Sequence, residues 1–388
     1  MTHRDGDPSS RMSATCIRAA RKLGIVLALA WTLGSVAHGA EAYLASYTAY
    51  QQAFQKGDVQ SALRHGEAAW REAEAAVGDD QITAVLAYNY ARLAFVYPAS
   101  AESAVEAYRR ALALTESGVA DLNPVELKTA IAEVELFLNP DEPRFRQRLA
   151  AQLQHRQTDE AAPSDVSAHA WRSLARAQLN AGSMLDAAAS ADRAASEASQ
   201  LAVPDLSLER DALVLAGLAR LSTSRNKRTR ELIEEALAQL DRAIPMFPPQ
   251  RDIDSFDRGY ALAILLRTAI DAMADSHGYR ASGLPAFEVP LRIDDGVDRS
   301  HCPATDDWIN RTPVVFPAEE QTRGQISAVL LGIDLGETEV ERVVVLAEPQ
   351  SGGFGKAASD SVKRWTIAAG IPAECRTNLL QLVQFSLR

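Results

Sequence analysis

Apolar residues recur at helical spacing through residues 41–275, where the apolar positions are filled mainly by Ala and Leu. Both residue types are strong helix formers. Hardly any run in this stretch alternates between apolar and polar residues, as a half-buried strand would. The pattern therefore predicts that residues 41–275 form a succession of helices.

The pattern changes after residue 275. Gly and Pro recur through 276–312, and because such residues end helices they predict a linker. The elements predicted within and beyond it are a short strand at 287–293, hairpin strands at 325–335 and 340–347, a helix at 354–367 and a last strand at 379–387. We therefore expect a mainly α fold, in which an α-solenoid precedes a small α+β domain with a three-stranded antiparallel sheet and one helix.

One part of the helical region carries a repeat signature. It consists of Trp171, Leu174, Ala175 and Gln178, then Gly182, then Ala187, Ala191 and Ala194. This order resembles the tetratricopeptide repeat (TPR), from which it departs at Gln178 and Ala191, where aromatic residues are expected. Small residues such as Ala187 and Ala194 let paired helices approach closely, and Gly182 supplies the turn.

Weaker copies of the signature occur elsewhere. They are Gly57-Asp58 with Ala62 and Ala69, Ala104 with Tyr108 and Ala111, and Ala236 with Leu240 and Ala243; further helices are predicted at 124–138, capped by Asn123, at 143–157 and at 254–274. Stacked helix pairs form solenoids whose surfaces mostly bind proteins or peptides. An Ala-rich amphipathic helix pair also gives this spacing by chance, and for each copy that alternative stays open.

The first 40 residues have the order of a secretory signal peptide. A basic leader that ends in Arg21 and Lys22 precedes an uncharged run at 23–40 and small-residue sites near its end. This order predicts export, cleavage near Glu41 and a periplasmic location. Because 18 uncharged residues reach the lower limit of a membrane span, an inner-membrane anchor formed by 23–40 is the alternative.

The net charge bears on the choice of partner, and the cysteine content bears on disulfide formation. The formal net charge is −11, and loss of residues 1–40 would remove a net charge of +3 and leave −14. Because phosphate binding needs a basic surface, no nucleic-acid partner is expected. Beyond residue 40 the chain keeps Cys302 and Cys375, which predict one disulfide in an oxidising compartment, with two reduced buried thiols as the alternative.

About the last 75 residues carry a second family resemblance. Phe316-Pro317, Gly324, Phe354 and Arg364-Trp365 follow one another in an order and spacing similar to those of the C-terminal domain of TonB-type energy transducers. The chain departs from that domain in a shorter segment after Pro317, in the residues after Trp365 and in Cys375. The resemblance implies a small sheet whose last strand pairs with a short segment of an outer-membrane receptor.

The predicted last strand supports this expectation from its own residues. Val383, Phe385 and Leu387 alternate with Gln384, Ser386 and Arg388, giving one face for a core helix and one for solvent. No Pro or charged residue interrupts 379–387, so its edge is open to an added strand. The predicted peptide-binding residues are Leu380, Leu382, Val383, Gln384 and Phe385. Coverage of this edge by 287–293, or by a second copy of the chain in a homodimer, is the alternative.

Motifs that would carry chemistry are incomplete. The run at 350–356 contains Gly-Lys, but Gln350 and Ala357 occupy positions where a phosphate-binding loop needs Gly and Ser or Thr. His301-Cys302 with Cys375 could supply three zinc ligands, yet the paired spacing of a zinc site is missing. We therefore expect no cofactor, no metal and no enzymatic activity.

The sequence thus predicts an exported envelope adaptor that binds envelope proteins or peptides, such as an outer-membrane receptor. Its predicted segments are a signal peptide at 1–40, a TPR-like domain at 41–275, a linker at 276–312 and a TonB-like domain at 313–388. The alternative is a periplasmic enzyme whose site is assembled from His277, His301, Asp306 and Asp307.

Overall fold

The structure is a computed structural model, and it describes residues 39–158, 161–227, 230–276, 290, 292–322, 327–348 and 353–385. The chain divides into two compact units, with the boundary between Ala177 and Gln178. The predicted signal peptide lies outside the described residues up to residue 38, and so does the predicted strand at 287–293 except for 290, 292 and 293.

The regular elements described in the first unit are helices. They are α1 (Gly39–Gln55), α2 (Val59–Val77), α3 (Gln81–Phe95), α4 (Ala101–Glu116), α5 (Pro124–Leu138) and α6 (Pro143–Thr158), followed by α7 (Asp165–Asn180), within which the unit boundary falls. Each helix from α1 to α5 packs against the next. The helices predicted at 124–138 and 143–157 are confirmed.

Local capping explains where several of these helices begin. Gly57 has a φ of 74°, a left-handed conformation that favours Gly and lets the chain turn between α1 and α2. The Asp58 side chain then accepts a hydrogen bond from the Ser61 N–H at 3.1 Å. Asn123 Oδ1 accepts hydrogen bonds from Val125 N and Glu126 N, so the predicted cap of α5 is confirmed.

The second unit continues with helices. They are α8 (Met184–Gln200), α9 (Leu206–Lys227), α10 (Arg230–Ala243) and α11 (Arg258–Ser276). Helix α9 packs against α8 and α10, and α11 packs against α9 and α10. The helix predicted at 254–274 begins only at Arg258, because Asp257 caps it by accepting hydrogen bonds from Gly259 N at 2.7 Å and Tyr260 N at 3.1 Å.

A small antiparallel sheet follows the helices. Its region comprises α12 (Thr305–Trp308), β1 (Ile309–Asn310), α13 (Ala318–Thr322), β2 (Ser327–Leu335), β3 (Val340–Ala347), α14 (Phe354–Val362), β4 (Thr366–Ile367) and β5 (Leu379–Phe385). Strands β3, β2 and β5 form the three-stranded sheet in that order, and β1 pairs with β4 separately. The mainly α fold with a C-terminal three-stranded antiparallel sheet and a nearby helix is therefore confirmed. Among the helices that the structure describes, none combines the length and apolarity needed to cross a bilayer.

The helix predicted at 354–367 is wrong in its second half. Helix α14 ends at Val362, and the chain tightens there because Trp365 N donates to Val362 O at 2.9 Å. Thr366 and Ile367 are β-branched residues, which favour strands, and they pair with β1. The cross-strand partner of this short strand lies in the predicted linker, so it could not be recognised from the local pattern.

Both faces of the three-stranded sheet are covered. One face packs on α14 and on the buried side chains of Trp308 and Trp365. The other face packs on Ile253, Phe256 and residues of α11, where the sequence analysis expected solvent. The approach is close at Gly332, because a Cβ atom there would lie 2.8 Å from Ile253 Cγ2. The sequence predicted α11 as one more helix, and only the tertiary structure brings it onto this face.

Candidate peptide-binding edge

Strand β5 forms one edge of the three-stranded sheet. Its seven residues pair in antiparallel register with β2, from Leu379 opposite Ile333 to Phe385 opposite Ser327. On its outer side the described residues provide a single bridge, between Arg292 and Leu379. Beyond Leu379, no described residue forms a main-chain pair with the outer side of β5.

The bridge shows which main-chain groups point outward. Ile293 N donates to Asn378 O at 2.9 Å beside the Arg292–Leu379 pair, so this pair is of the type whose own N–H and C=O groups point away from each other. Leu379 therefore points its main-chain groups toward β2. Because the direction alternates along a strand, Leu380, Leu382 and Gln384 point theirs outward.

One outward carbonyl is capped by the protein itself. Gln381 Nε2 donates to Leu382 O at 2.8 Å. Because the donor is a side chain, the N–H group of an added strand can take its place without breaking a hydrogen bond within the sheet. Leu382 N and both main-chain groups of Gln384 have no partner among the described residues, and they form a short row that an added strand could use.

The side chains of the predicted binding residues divide between the two sheet faces. Val383 and Phe385 are each 4% exposed and lie on the α14 face. Leu380 and the half-buried Leu382 lie on the face covered by α11. Gln384 is exposed. A partner strand would thus meet main-chain atoms rather than an apolar surface, and Gln384 offers a position that can be substituted without opening the core.

An aromatic cluster fixes the end of β5. The Phe316 ring lies 5.5 Å from that of Phe385 and 5.8 Å from that of Phe354, both edge to face. The Phe354 and Phe385 centroids lie 5.0 Å apart. Such pairs stabilise a core beyond the burial of their area. These contacts place the Phe316 and Phe354 positions of the TonB-like motif directly behind the candidate edge.

The remaining motif residues have structural surroundings. Trp365 is 3% exposed, and its Nε1 donates to Thr312 O at 3.3 Å. Arg364 is exposed, and its guanidinium donates to Ser361 Oγ at 3.3 Å. Pro317 O accepts the N–H of Gln321 at the start of α13. Gly324 lies outside the described residues.

Five residues of the repeat signature are buried on two helices. Trp171, Leu174 and Ala175 lie on α7, and Ala187 and Ala194 lie on α8, with exposed fractions from 0% to 8%. Gly182 has a φ of 79°, which supports its predicted role in the turn. The unit boundary falls within α7, so this predicted repeat is divided between the two compact units.

A segment at 292–302 lies against the start of β5. Cys302 and Cys375 are joined by a disulfide, with a Cα–Cα distance of 5.6 Å, and they were the predicted pair. Asn378 Nδ2 donates to Asp295 at 2.7 Å. Hydrogen bonds from Arg299 hold the pKa of Asp295 far below its usual range. Asn378, directly before β5, adopts a left-handed conformation with a φ of 55°. Asn adopts this conformation more readily than most residues, and this local signal was not used in the prediction from sequence.

The structure describes the side chains of two residues of the enzyme alternative, His301 and Asp307. His301 is 51% exposed at its side chain and lies 3.2 Å from Glu374 Oε1. Asp307 is exposed as well. His277 and the side chain of Asp306 lie outside what the structure describes.

No family model matches the chain, and no curated protein matches it either. The TPR-like and TonB-like resemblances accordingly remain predictions that rest on the residues themselves.

Proposed function

We propose that this protein is an exported envelope adaptor that binds an extended peptide of a partner protein as an added strand on the outer side of β5. The observation that carries the proposal is the outward direction of the main-chain groups of Leu382 and Gln384. Affinity would come from main-chain hydrogen bonds, and selectivity from side chains beside the edge.

The composition of β5 supports this proposal. No charged residue or Pro lies in Leu379–Phe385, and these are the residues with which exposed edges are usually protected from pairing. The edge is also held in a fixed position, because Phe385 is anchored by two aromatic contacts and the strand is buried on both faces. A fixed edge lowers the entropic cost of binding an extended peptide.

The binding step is tested with two substitutions at one exposed position. Gln384→Pro removes the outward N–H and places the proline ring on the outer side, while the hydrogen bonds to β2 come from neighbouring residues. Gln384→Ala keeps the N–H and serves as the matched control. Both proteins are used to capture partners from an envelope extract, and captured proteins are identified by mass spectrometry.

We expect a protein that wild type and Gln384→Ala capture and that Gln384→Pro loses, with unchanged far-UV circular dichroism in all three. Equal capture by the Pro variant would show that the edge is not the binding site. A gain in capture by Gln384→Pro would point to an edge covered within the chain or by a second copy.

The export part of the proposal has its own measurement. The intact mass of protein recovered from the periplasmic fraction should correspond to a chain that starts near Glu41. Recovery of the full-length mass in the membrane fraction would instead support an anchor formed by 23–40.

A further inference from the structure

Two dipeptides distant in the sequence face each other beside β5. His301-Cys302 and Glu374-Cys375 are joined through their cysteines, whose Cα atoms lie 5.6 Å apart. One ligand atom each from His301, Cys302 and Cys375 lies within 4.8 Å of the others. Their spacing in the sequence lacks the pairs of a zinc site, and only the fold brings them together.

The two dipeptides are held in place by contacts other than the disulfide. Arg299 donates to the Glu374 carbonyl and pairs with Asp295. Asp295 in turn accepts a hydrogen bond from Asn378 at 2.7 Å. Cys302 N donates to Arg299 O at 2.9 Å. These contacts join the segment carrying Cys302 to the segment carrying Cys375, so the two cysteines stay neighbours when their bond is reduced.

The donor set has the chemistry of a thiophilic metal site. Two thiolates and an imidazole are typical zinc ligands, with Zn–S near ~2.3 Å and Zn–N near ~2.0 Å. Thiolates around one tetrahedral ion lie about 3.8 Å apart by that geometry, a separation that cysteines with neighbouring Cα atoms reach by side-chain rotation. Glu374 Oε1 lies 3.2 Å from His301 Nε2, and a carboxylate on one imidazole nitrogen favours the tautomer whose other nitrogen binds a metal.

We propose that the dithiol form of this protein binds a thiophilic divalent cation, such as Zn²⁺, through Cys302, Cys375 and His301. Two thiol groups of an external reductant supply two electrons and two protons to the Cys302–Cys375 bond and become a disulfide themselves. The cation then binds both sulfurs as thiolates and releases two protons to water. Disulfide formation and metal binding are therefore two exclusive states of one site.

The test uses Co²⁺ as a spectroscopic substitute for Zn²⁺ on the untagged full chain carrying Cys16→Ser, so that the two remaining cysteines are the ones at the site. The protein is reduced with a phosphine, which takes the oxygen of one water molecule and becomes the phosphine oxide, while the two protons of that water go to the two thiols. The phosphine is then removed under argon. We expect one Co²⁺ per reduced chain with thiolate-to-metal charge-transfer absorption that Zn²⁺ abolishes. The oxidised protein should show none, and Ellman titration of the denatured, oxidised protein should find no free thiol.

Variants separate this site from adventitious binding. His301→Ala should weaken Co²⁺ binding by tenfold or more, Cys302→Ser with Cys375→Ser should abolish the charge-transfer band, and His65→Ala should change neither. Absence of Co²⁺ uptake by reduced protein that keeps its circular dichroism would overturn the proposal. Loss of the fold on reduction would do so too, as would equal binding by wild type and His301→Ala.

Discussion

The buried face of α8 and the C-terminal sheet are built from side chains of very different size. On α8 the buried positions Ala187 and Ala194 are 0% exposed, and α9 packs against this helix. The sheet instead buries Phe354, Phe385 and Trp365. Truncating a buried Ala removes only one methyl group, but the packed helices leave no room for a larger side chain. Truncating a buried ring instead leaves a large cavity. The two regions should therefore fail under opposite substitutions.

Buried charge is a second difference between the regions. Glu133 on α5 is 4% exposed and accepts a hydrogen bond from Ser173 Oγ at 2.6 Å. Burial raises the pKa of Glu133 to about 7, although the Ser173 hydrogen bond and the charge of Arg172 oppose the rise. The helical region thus contains an acid that titrates near neutral pH inside its core.

The largest effect is expected from removing a ring of the sheet core. Phe354→Ala should lower the free energy of unfolding by about 3–5 kcal/mol, because the ring is fully buried and its loss leaves a cavity. Urea denaturation followed by tryptophan fluorescence measures this change. Phe137→Ala in the helical region is the control, since that ring is 46% exposed, and its cost should be about 1 kcal/mol. Equal costs would contradict the proposed contrast.

The next effect depends on pH. Since the pKa of Glu133 is raised in the folded state from 4.5 to about 7, the folded state binds the proton more tightly than the unfolded state does. The contribution of protonated Glu133 to stability is present below about pH 4.5 and is lost as the pH rises through about 7. At 1.4 kcal/mol per pKa unit the loss reaches up to about 3 kcal/mol.

Glu133→Gln keeps an acceptor for Ser173 and removes this titration. We expect the variant to gain stability relative to wild type between pH 5 and pH 8, as measured by urea denaturation at each pH. The gain in the free energy of unfolding should be at most about 3 kcal/mol. Glu102→Gln, on an exposed position of α4, is the control and should follow wild type. A wild type that becomes more stable than Glu133→Gln as the pH rises would show that the sign is wrong.

The third prediction enlarges a small residue of the helical core. Ala194→Leu should cost about 1–3 kcal/mol, because a fully buried position has no space for three more carbon atoms. Ala189→Leu lies on the exposed side of the same helix and should change stability by less than about 0.5 kcal/mol. Thermal unfolding followed by circular dichroism at 222 nm distinguishes them, and similar melting temperatures for the two variants would refute the buried small-residue core.

The smallest effect is expected where α11 and its preceding segment meet the sheet. Gly332→Ala would place a Cβ atom 2.8 Å from Ile253 Cγ2, which should cost about 1 kcal/mol. In an Ile253→Ala background the same substitution should cost nothing, because the contact is gone. A double-mutant cycle measures this coupling, and a cost that persists in that background would show that Ile253 does not cover the sheet as described.

Most of the element types were predictable from local pattern. The helices at 124–138 and 143–157, the cap at Asn123 and the strand at 340–347 depend on spacing and capping chemistry that operate within a few residues. The end of α14 was not predictable in this way, because Thr366 and Ile367 find their partners in β1, more than 50 residues earlier. Similarly, nothing local showed that the second sheet face would be covered by α11.

At the candidate edge, too, some features follow from the sequence alone and others only from the tertiary structure. The sequence alone determined that 379–385 would be an uncharged, Pro-free strand with alternating faces, because a period of two is a property of the chain itself. Only the tertiary structure decided that this strand lies at an edge, that the main-chain groups of Leu382 and Gln384 point outward, and that Arg292 covers its first position. It also brought His301, Cys302 and Cys375 together. Strand order and the meeting of residues 73 positions apart depend on which distant surfaces bury each other, and that free energy is a property of the packed chain rather than of any segment.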